Sequence, residues 1–325
     1  PTGFDHIVDL GVNVVQILPM YDFSSVDELN PDSRNWGYDP YLYNVPEGGY
    51  SDDPDDPAAR ITQMKQMIQG FHDAGIKVVM DVVYNHTHNV GPQGSTYDAM
   101  VPKYYYRLED DGSYSNGSGV GNEVATEKEM ARRFILQSCK YWVEEFHIDG
   151  FRFDLMGLID TPLMAEITAE VKAINPHAII YGEPWGGYGS GILTGKGDQR
   201  GLGFGCFNDN IRNAIRGSTD GTDPGYAMND QNDRGNVING IRGAIEDFTD
   251  GPSETINYIS AHDNYTWWDK LDHRWNPNEV PPPGYDEATL IRMNKFGISM
   301  VLTSQGVPFL HAGSEFLRTK RTGDP

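Results

Sequence analysis

Short runs of apolar, mostly β-branched residues recur along the chain and alternate with amphipathic stretches. The apolar runs predict seven buried strands, at residues 12–19, 76–83, 148–155, 178–183, 203–207, 255–260 and 307–311. Continuous apolar runs of this length are typical of parallel strands that are covered on both faces. The stretches between them carry apolar residues at three- and four-residue steps, which predicts helices near 4–10 and at 59–73, 130–142, 161–175 and 286–304.

Polar residues at the ends of these stretches predict where two of the helices begin. Thr126 and Glu129 have the spacing of a capping box in front of the helix at 130–142. Thr161 is expected to cap the helix at 161–175.

Repeated strand–helix units are typical either of a (β/α)8 barrel or of an open, doubly wound sheet. The open sheet is disfavoured because no Gly-rich fingerprint follows an early strand. Seven strands are one short of a closed barrel, and an eighth just before Pro1 would complete it. We therefore predict an α/β fold, a (β/α)8 TIM barrel truncated at both ends, whose first strand and last helix lie outside residues 1–325. These residues are expected to form a single catalytic domain.

Long connections follow four strand ends, at residues 20–55, 84–125, 184–202 and 264–285. In a (β/α)8 barrel the loops after the strands build the active-site face. Long polar loops can be solvated surface and nothing more, but four of them on one face favour a functional site.

Charge and composition exclude several classes of partner. Lys and Arg number 25 against 47 Asp and Glu, so the net charge is −22. Such a chain is not expected to bind nucleic acid or an anionic membrane surface. No stretch approaches the ~18 apolar residues of a membrane span. Cys139 and Cys206 form neither a disulfide framework nor a zinc cluster.

Carboxylates stand at or just past the ends of four predicted strands: Asp81, Asp154, Glu183 and Asp263. The carboxyl ends of barrel strands meet at one rim, so these side chains are expected to lie together. A single strand-end acid is as often a helix cap or a solvated charge as a functional group. Four at one rim favour a catalytic site.

The neighbours of two of these acids indicate different roles. Arg152 precedes Asp154 by two residues, so both point to the same side of a strand, and a guanidinium keeps a carboxylate ionised, as a nucleophile requires. A buried structural ion pair is the alternative. Glu183 is flanked by apolar and aromatic residues that include Trp185. Such surroundings raise the pKa of a carboxyl group, as general-acid catalysis requires.

Histidines and aromatic residues accompany the acids. His86 and His262 lie beside strand-end acids and indicate hydrogen bonds to a polar ligand, although a lone histidine is more often structural. Aromatic rings crowd the same loops, where they suit the faces of sugars. Two functions stay open: a glycoside hydrolase with paired carboxylates, and an enolase-type enzyme whose acids hold Mg²⁺. Arg152 and the aromatic rings favour the first, and no Lys base stands at a strand end to support the second.

Four short segments, in order along the chain, resemble the signature regions of the α-amylase superfamily, glycoside hydrolase family 13: Asp81-Val-Val-Tyr-Asn-His86, Gly150-Phe-Arg-Phe-Asp154, Glu183-Pro-Trp185 and His262-Asp263-Asn264. The motif Asn35-Trp-Gly-Tyr-Asp-Pro40 is similar to the signature of type I pullulanases, as are residues 141–157 and 258–265. Arg34 and Ser314 depart from the family pattern, and neither belongs to the catalytic set.

The resemblance implies a role for each residue. Asp154 is the nucleophile, Glu183 the acid and then the base, and Asp263 stabilises the transition state. The substrate-binding residues that it implies are Tyr38, Asp81, His86, Arg152, Trp185, His262 and Asn264. The implied reaction is hydrolysis, with retention, of α-1,6 links in pullulan and branched starch-like glucans. An isoamylase, an α-1,4-acting amylase and a non-catalytic carbohydrate-binding relative are the alternatives.

The resemblance also bears on cofactors, partners and location. No cofactor is required, but calcium occurs in many relatives, and Asn85 matches a calcium-binding position of α-amylases without defining a site here. The expected partner is an α-glucan, bound by a monomer. Accessory β-domains are expected outside the chain. A secreted or cell-surface bacterial enzyme is favoured over a cytoplasmic one.

Overall fold

The computed structural model describes residues 3–30, 32–189, 191–272 and 285–320. They fall into two compact units, Pro1–Phe204 and Gly205–Pro325. In both units parallel strands alternate with helices, and each of the seven predicted strands is present, including the one at 203–207. No helix among the described residues is long and apolar enough to cross a membrane.

The first unit contains four parallel strands, three long helices, two short ones and a hairpin. In chain order its elements are α1 (Phe4–Leu10), β1 (Val14–Ile17), β2 (Tyr21–Phe23), β3 (Pro40–Pro46), α2 (Pro57–Asp73), β4 (Lys77–Val82), α3 (Thr96–Met100), α4 (Glu129–Phe146), β5 (Gly150–Phe153), α5 (Thr161–Ile174) and β6 (Ile179–Gly182). β1, β4, β5 and β6 pair side by side in that order. Every residue of β5 is buried, as expected for a strand covered on both faces.

The register of these strands positions the polar side chains. Asp81 on β4 pairs with Arg152 on β5, and Arg152 pairs with Tyr181 on β6. Paired residues in neighbouring strands project to the same side of a sheet. A row of polar side chains therefore crosses three buried strands near their carboxyl ends.

Two predictions of helix caps are wrong. α4 begins at Glu129 without a side-chain cap, because the Thr126 hydroxyl instead accepts the backbone N–H of Asp160 at 3.0 Å. α5 is capped by Asp160, whose carboxylate accepts the Leu163 N–H at 3.2 Å, whereas the Thr161 hydroxyl donates to a distant loop carbonyl. In both cases a contact between segments far apart in sequence has replaced the local bond.

The long loop at 20–55 contains structure that the apolar pattern does not predict. β2 and β3 pair in antiparallel fashion, with Phe23 opposite Pro40. The buried Glu47 accepts the N–H of Phe23 at 3.1 Å and that of Gly49 at 2.6 Å, so a carboxylate organises this loop. β2 has three residues, too few to show a period of two.

The second unit contains the remaining three parallel strands. Its elements are β7 (Gly205–Phe207), α6 (Asp209–Arg216), α7 (Arg234–Ile241), β8 (Thr255–Asn257), α8 (Trp267–Leu271), α9 (Glu287–Thr303) and β9 (Val307–Pro308). β8 lies between β7 and β9. Residues of α6 to α9 form one apolar core, in which Ile211, Trp267 and Leu271 are fully buried. Part of the predicted loop at 264–285 lies outside the described residues.

Candidate active site

Three of the four predicted acids converge in the first unit. Asp81 is on β4, while Asp154 and Glu183 directly follow β5 and β6. The backbone N–H of Asp154 donates to Val82 at 2.9 Å, and that of Glu183 donates to Phe153 at 3.1 Å. These bonds continue the strand pairing by one residue, so the backbone position of each acid at the end of its strand is fixed.

Arg152 lies between the three carboxylates. One of its terminal nitrogens is 2.9 Å from Asp81 and 3.0 Å from Asp154, and the other contacts Glu183. All four side chains are buried. Burial opposes the charge of the guanidinium, but the carboxylates of Asp81 and Glu183 outweigh it and hold the pKa of Arg152 well above its ordinary value. A permanent cation therefore sits at the centre of the site.

Asp81 is held on both of its oxygens. Oδ1 accepts from Arg152, and Oδ2 accepts from the Tyr38 hydroxyl at 2.8 Å and from the Gln16 amide at 3.1 Å. The Tyr181 hydroxyl donates to the Gln16 carbonyl oxygen at 2.6 Å, which turns the NH₂ group of Gln16 toward Asp81. Burial raises the pKa of Asp81 to about 7, although the charge of Arg152 opposes this rise.

Asp154 is held by an amide as well as by Arg152. The Asn85 NH₂ group donates at 2.8 Å to both the side-chain Oδ2 and the backbone carbonyl of Asp154. The Asn85 oxygen faces Nδ1 of His86 at 2.6 Å, and Nε2 of His86 is 2.8 Å from the Tyr38 carbonyl. Burial lowers the pKa of His86, and the carboxylate of Asp154 acts against that change. Both ring nitrogens of His86 thus face oxygen acceptors, and a neutral imidazole, which carries one N–H, donates to only one of them at a time.

Glu183 is held by a cation and a backbone donor. Its Oε2 accepts the N–H of Leu155 at 2.8 Å while Oε1 contacts Arg152. Leu155 has φ 39° and ψ 48°, a left-handed conformation that is rare for a residue with a side chain. Trp185 is half-buried, and its backbone packs so closely on Gly157 that a Cβ there would lie 2.5 Å from the Trp185 carbonyl carbon.

Tyr38 joins this group from the motif at 35–40. The Asn35 oxygen accepts the Gly37 N–H at 2.8 Å, and Gly37 has φ 89°, a left-handed turn that presents the next residue. The Tyr38 ring lies over Arg152, 5.8 Å from the guanidinium carbon. Trp36 is 41% exposed.

The other predicted site residues, His262, Asp263 and Asn264, belong to the second unit and follow β8. The Asp263 side chain is 66% exposed, and its Oδ1 is 3.6 Å from Nε2 of His262. Asn264 has a left-handed φ of 61°, and its amide donates to Asp220 at 2.7 Å.

Sequence reasoning missed several residues of both groups. Gln16 and Tyr181 support Asp81, and Asp220 supports Asn264. Gln16 carried a signal, because it is a polar residue between the apolar residues Val15 and Ile17 of a predicted strand. Tyr181 and Asp220 stand in segments where such residues are common, so neither carried a comparable signal.

Asn85, which matches a calcium-binding position of α-amylases, has its amide nitrogen bound to Asp154 and its oxygen facing His86. Among the described residues, three acids have ligand atoms within 4.8 Å of one another: Asp22, Glu28 and Glu47. Arg60 contacts Glu28 at 2.6 Å and lies 3.9 Å from Asp22. The single charge of Arg60 therefore offsets only part of the charge of these three acids, and no calcium site is assigned.

Known proteins resemble this chain over nearly its whole length, although no protein-family model matches it. The pullulanase of Bacillus subtilis is 36% identical over 333 residues, which cover 98% of this chain and 45% of that protein. The solved pullulanase of Bacillus acidopullulyticus is 50% identical with a TM-score of 0.94, over 100% of this chain and 39% of that one. Isoamylase 3 of rice is 27% identical over 97% of this chain and 45% of that protein.

A third pullulanase, from Anoxybacillus sp. LM18-11, was solved in complex with maltotriose. It is 42% identical with a TM-score of 0.91, over 99% of this chain and 46% of that one. The chain thus spans less than half the length of these pullulanases. Their likeness confirms the predicted fold, that of a truncated (β/α)8 barrel. Over 98% of its length or more, the chain is therefore similar in sequence and in fold to part of these pullulanases.

Proposed function

We propose that this chain carries the active site of a retaining glycoside hydrolase that cleaves α-1,6 branch links in pullulan, amylopectin, glycogen or limit dextrins. One observation carries the proposal: the Arg152 guanidinium binds Asp154 and Glu183 through its two different terminal nitrogens. Both carboxylates therefore lie within reach of one guanidinium, and retaining glycosidases require such a short separation of their two carboxyl groups.

The distinct roles of the two acids rest on the family resemblance, because Glu183, like Asp154, accepts from Arg152 and from a second N–H donor. Asp154 receives hydrogen bonds from Arg152 and Asn85, which stabilise its anion. Its carboxylate attacks the anomeric carbon and forms a glycosyl ester, while protonated Glu183 gives its proton to the departing glycosidic oxygen. Glu183, now a carboxylate, takes a proton from water, and the resulting hydroxide breaks the ester. Two inversions give net retention.

The remaining roles concern the sugar. Asp263 stabilises the positive charge that develops at the anomeric carbon and binds sugar hydroxyls. His86, His262 and Asn264 contact the same sugar, and Tyr38 stacks on it. The carboxylates supply the nucleophile and every proton, so the proposed reaction requires no metal or organic cofactor.

Specificity for α-1,6 links rests on the resemblance at residues 35–40 and on the comparisons. The three pullulanases compared above are 36% to 50% identical to this chain, against 27% for the isoamylase. The enolase alternative is disfavoured by the contacts, because three of the four strand-end carboxylates, Asp81, Asp154 and Glu183, are bound to Arg152. A binding module without activity is disfavoured because Asp154, Glu183 and Asp263 are all carboxylates.

The product released from pullulan tests the proposal. Hydrolysis of α-1,6 links by the full protein releases maltotriose, whereas an α-1,4-acting enzyme releases panose. In Asp154→Asn the rate should fall by more than ~10³-fold, because a neutral amide cannot form the ester. Asp110→Asn is the matched control, since Asp110 is exposed. Panose as the product, or near-normal turnover by Asp154→Asn, would refute the proposal.

A further inference from the structure

Arg216, the last residue of α6, is a buried cation bound to backbone carbonyls. It is 1% exposed. Its guanidinium donates at 2.9 Å to the carbonyls of Thr219, Ile259 and Tyr265. Burial, together with the nearby charge of Arg212, lowers the pKa of Arg216 to about 10, so the group stays protonated at neutral pH. A buried charge is costly, which makes these particular partners informative.

Two of the three carbonyls bracket the loop that carries Asp263. Ile259 lies shortly after β8, and Tyr265 lies shortly before α8, so one guanidinium joins the two ends of residues 260–264. A second contact comes from the segment that follows Arg216. Asp220 accepts the Asn264 amide at 2.7 Å and the Tyr265 N–H at 3.3 Å.

Few contacts with the described residues hold the side chain of Asp263 in place. It is 66% exposed, and its contact with His262 is 3.6 Å long. The direction of such a side chain depends on the backbone from which it projects. Here Arg216 binds the carbonyls at both ends of that backbone segment. Asn264, which has a left-handed conformation, donates its amide to Asp220.

We infer that Arg216 is a positioning residue for Asp263: by closing the base of the loop at 260–264, its guanidinium sets the place of the Asp263 carboxylate. The inference rests on the proposed function, in which Asp263 acts on the transition state. Misplacing a catalytic group by about 1 Å costs roughly 10²-fold in rate. Loss of Arg216 should therefore lower kcat more than it raises KM.

A double-mutant cycle in the full protein tests this inference. Arg216→Met, Asp263→Asn and the double variant are compared for kcat and KM on pullulan, at a temperature where melting curves show each to be folded. We expect Arg216→Met to lower kcat by roughly 10²-fold in the parent and by less than about threefold in the Asp263→Asn background. Met300→Ala, in the same apolar core, is the control for destabilisation and should keep the parent kcat.

The outcomes separate this inference from the proposed function. Suppose that Asp263→Asn is impaired and that Arg216→Met lowers kcat by the same factor in the parent and in Asp263→Asn. That result would overturn the inference and leave the proposed function unaffected. Parent-like turnover by Asp263→Asn would overturn the proposed role of Asp263, and the inference with it. If Arg216→Met does not fold, Arg216→Lys takes its place in the cycle under the same criteria. Lys keeps the charge but cannot span three carbonyls, so a smaller loss that again vanishes with Asp263→Asn is expected.

Discussion

Replacing Arg152 by Lys tests whether one guanidinium organises the acids of the first unit. Arg152 binds Asp81 at 2.9 Å, Asp154 at 3.0 Å and Glu183 through its other terminal nitrogen. A lysine ammonium keeps the positive charge but is a compact group without the planar fork of a guanidinium. It can approach one carboxylate closely and cannot bridge all three.

The contacts set the expected size of the effect. Each charge-assisted hydrogen bond contributes about 1.5–3 kcal/mol, so the loss of two corresponds to about 3–6 kcal/mol. If most of that loss is expressed in the transition state, kcat/KM falls by about 10²- to 10⁴-fold, since each 1.4 kcal/mol is tenfold. Arg152→Met would instead leave buried carboxylates without a cation, at a cost of about 3–5 kcal/mol in folding stability. Lys is therefore the better probe.

The assay measures initial rates of reducing-end release from pullulan, and thermal unfolding reports on the fold. Arg242→Lys is the matched control, because Arg242 is 54% exposed and, among its described contacts, pairs only with an exposed glutamate four residues away. Such surface pairs contribute less than about 1 kcal/mol. If Arg152→Lys is folded and its kcat/KM lies within about threefold of the parent value, the guanidinium of Arg152 does not position the acids.

Three further predictions concern Glu183, the strand β5 and the response to acid. Glu183→Gln should lose more activity on pullulan than on substrates with activated aryl leaving groups, and azide should partly restore the latter; equal losses and no rescue would exclude the acid/base role. Gly150→Ala should destabilise the fold by more than about 3 kcal/mol, because its Cβ would lie 1.8 Å from the Ile179 carbonyl oxygen, whereas Gly70→Ala, with open space around it, should not. Burial, and to a smaller extent nearby cations, lower the pKa of His311 from 6.5 to about 3. As the pH falls through that range, His311 therefore binds a proton in the unfolded chain but not in the folded protein. Stability should drop by about 1.4 kcal/mol per pH unit there, and denaturant unfolding of His311→Gln should lack this contribution.

Much of the framework follows from local pattern. The seven strands lie within the predicted apolar runs, and β4 to β8 are buried as such runs predict. The prediction of burial is wrong for β1, which is half-buried, and for β9, which is exposed. Arg152 and Asp154 share a face because a strand repeats every two residues, and their contact at 3.0 Å follows from that period. Acids at successive strand ends meet because parallel strands end at the same edge, as Asp81, Asp154 and Glu183 do.

The partners of these acids depend on contacts between distant segments. Gln16 reaches Asp81, and Tyr181 reaches Gln16 across 165 positions of sequence, through the register of β1, β4, β5 and β6. No local pattern specifies which strands are neighbours in the sheet or in which register they pair. Arg216 is likewise an ordinary helix-end arginine in the sequence, and the folded chain alone brings the carbonyls of Ile259 and Tyr265 to it. Local periodicity thus determines which residues face the site, while strand order and register determine the hydrogen bonds that hold them, because those bonds join groups that are neighbours only after folding.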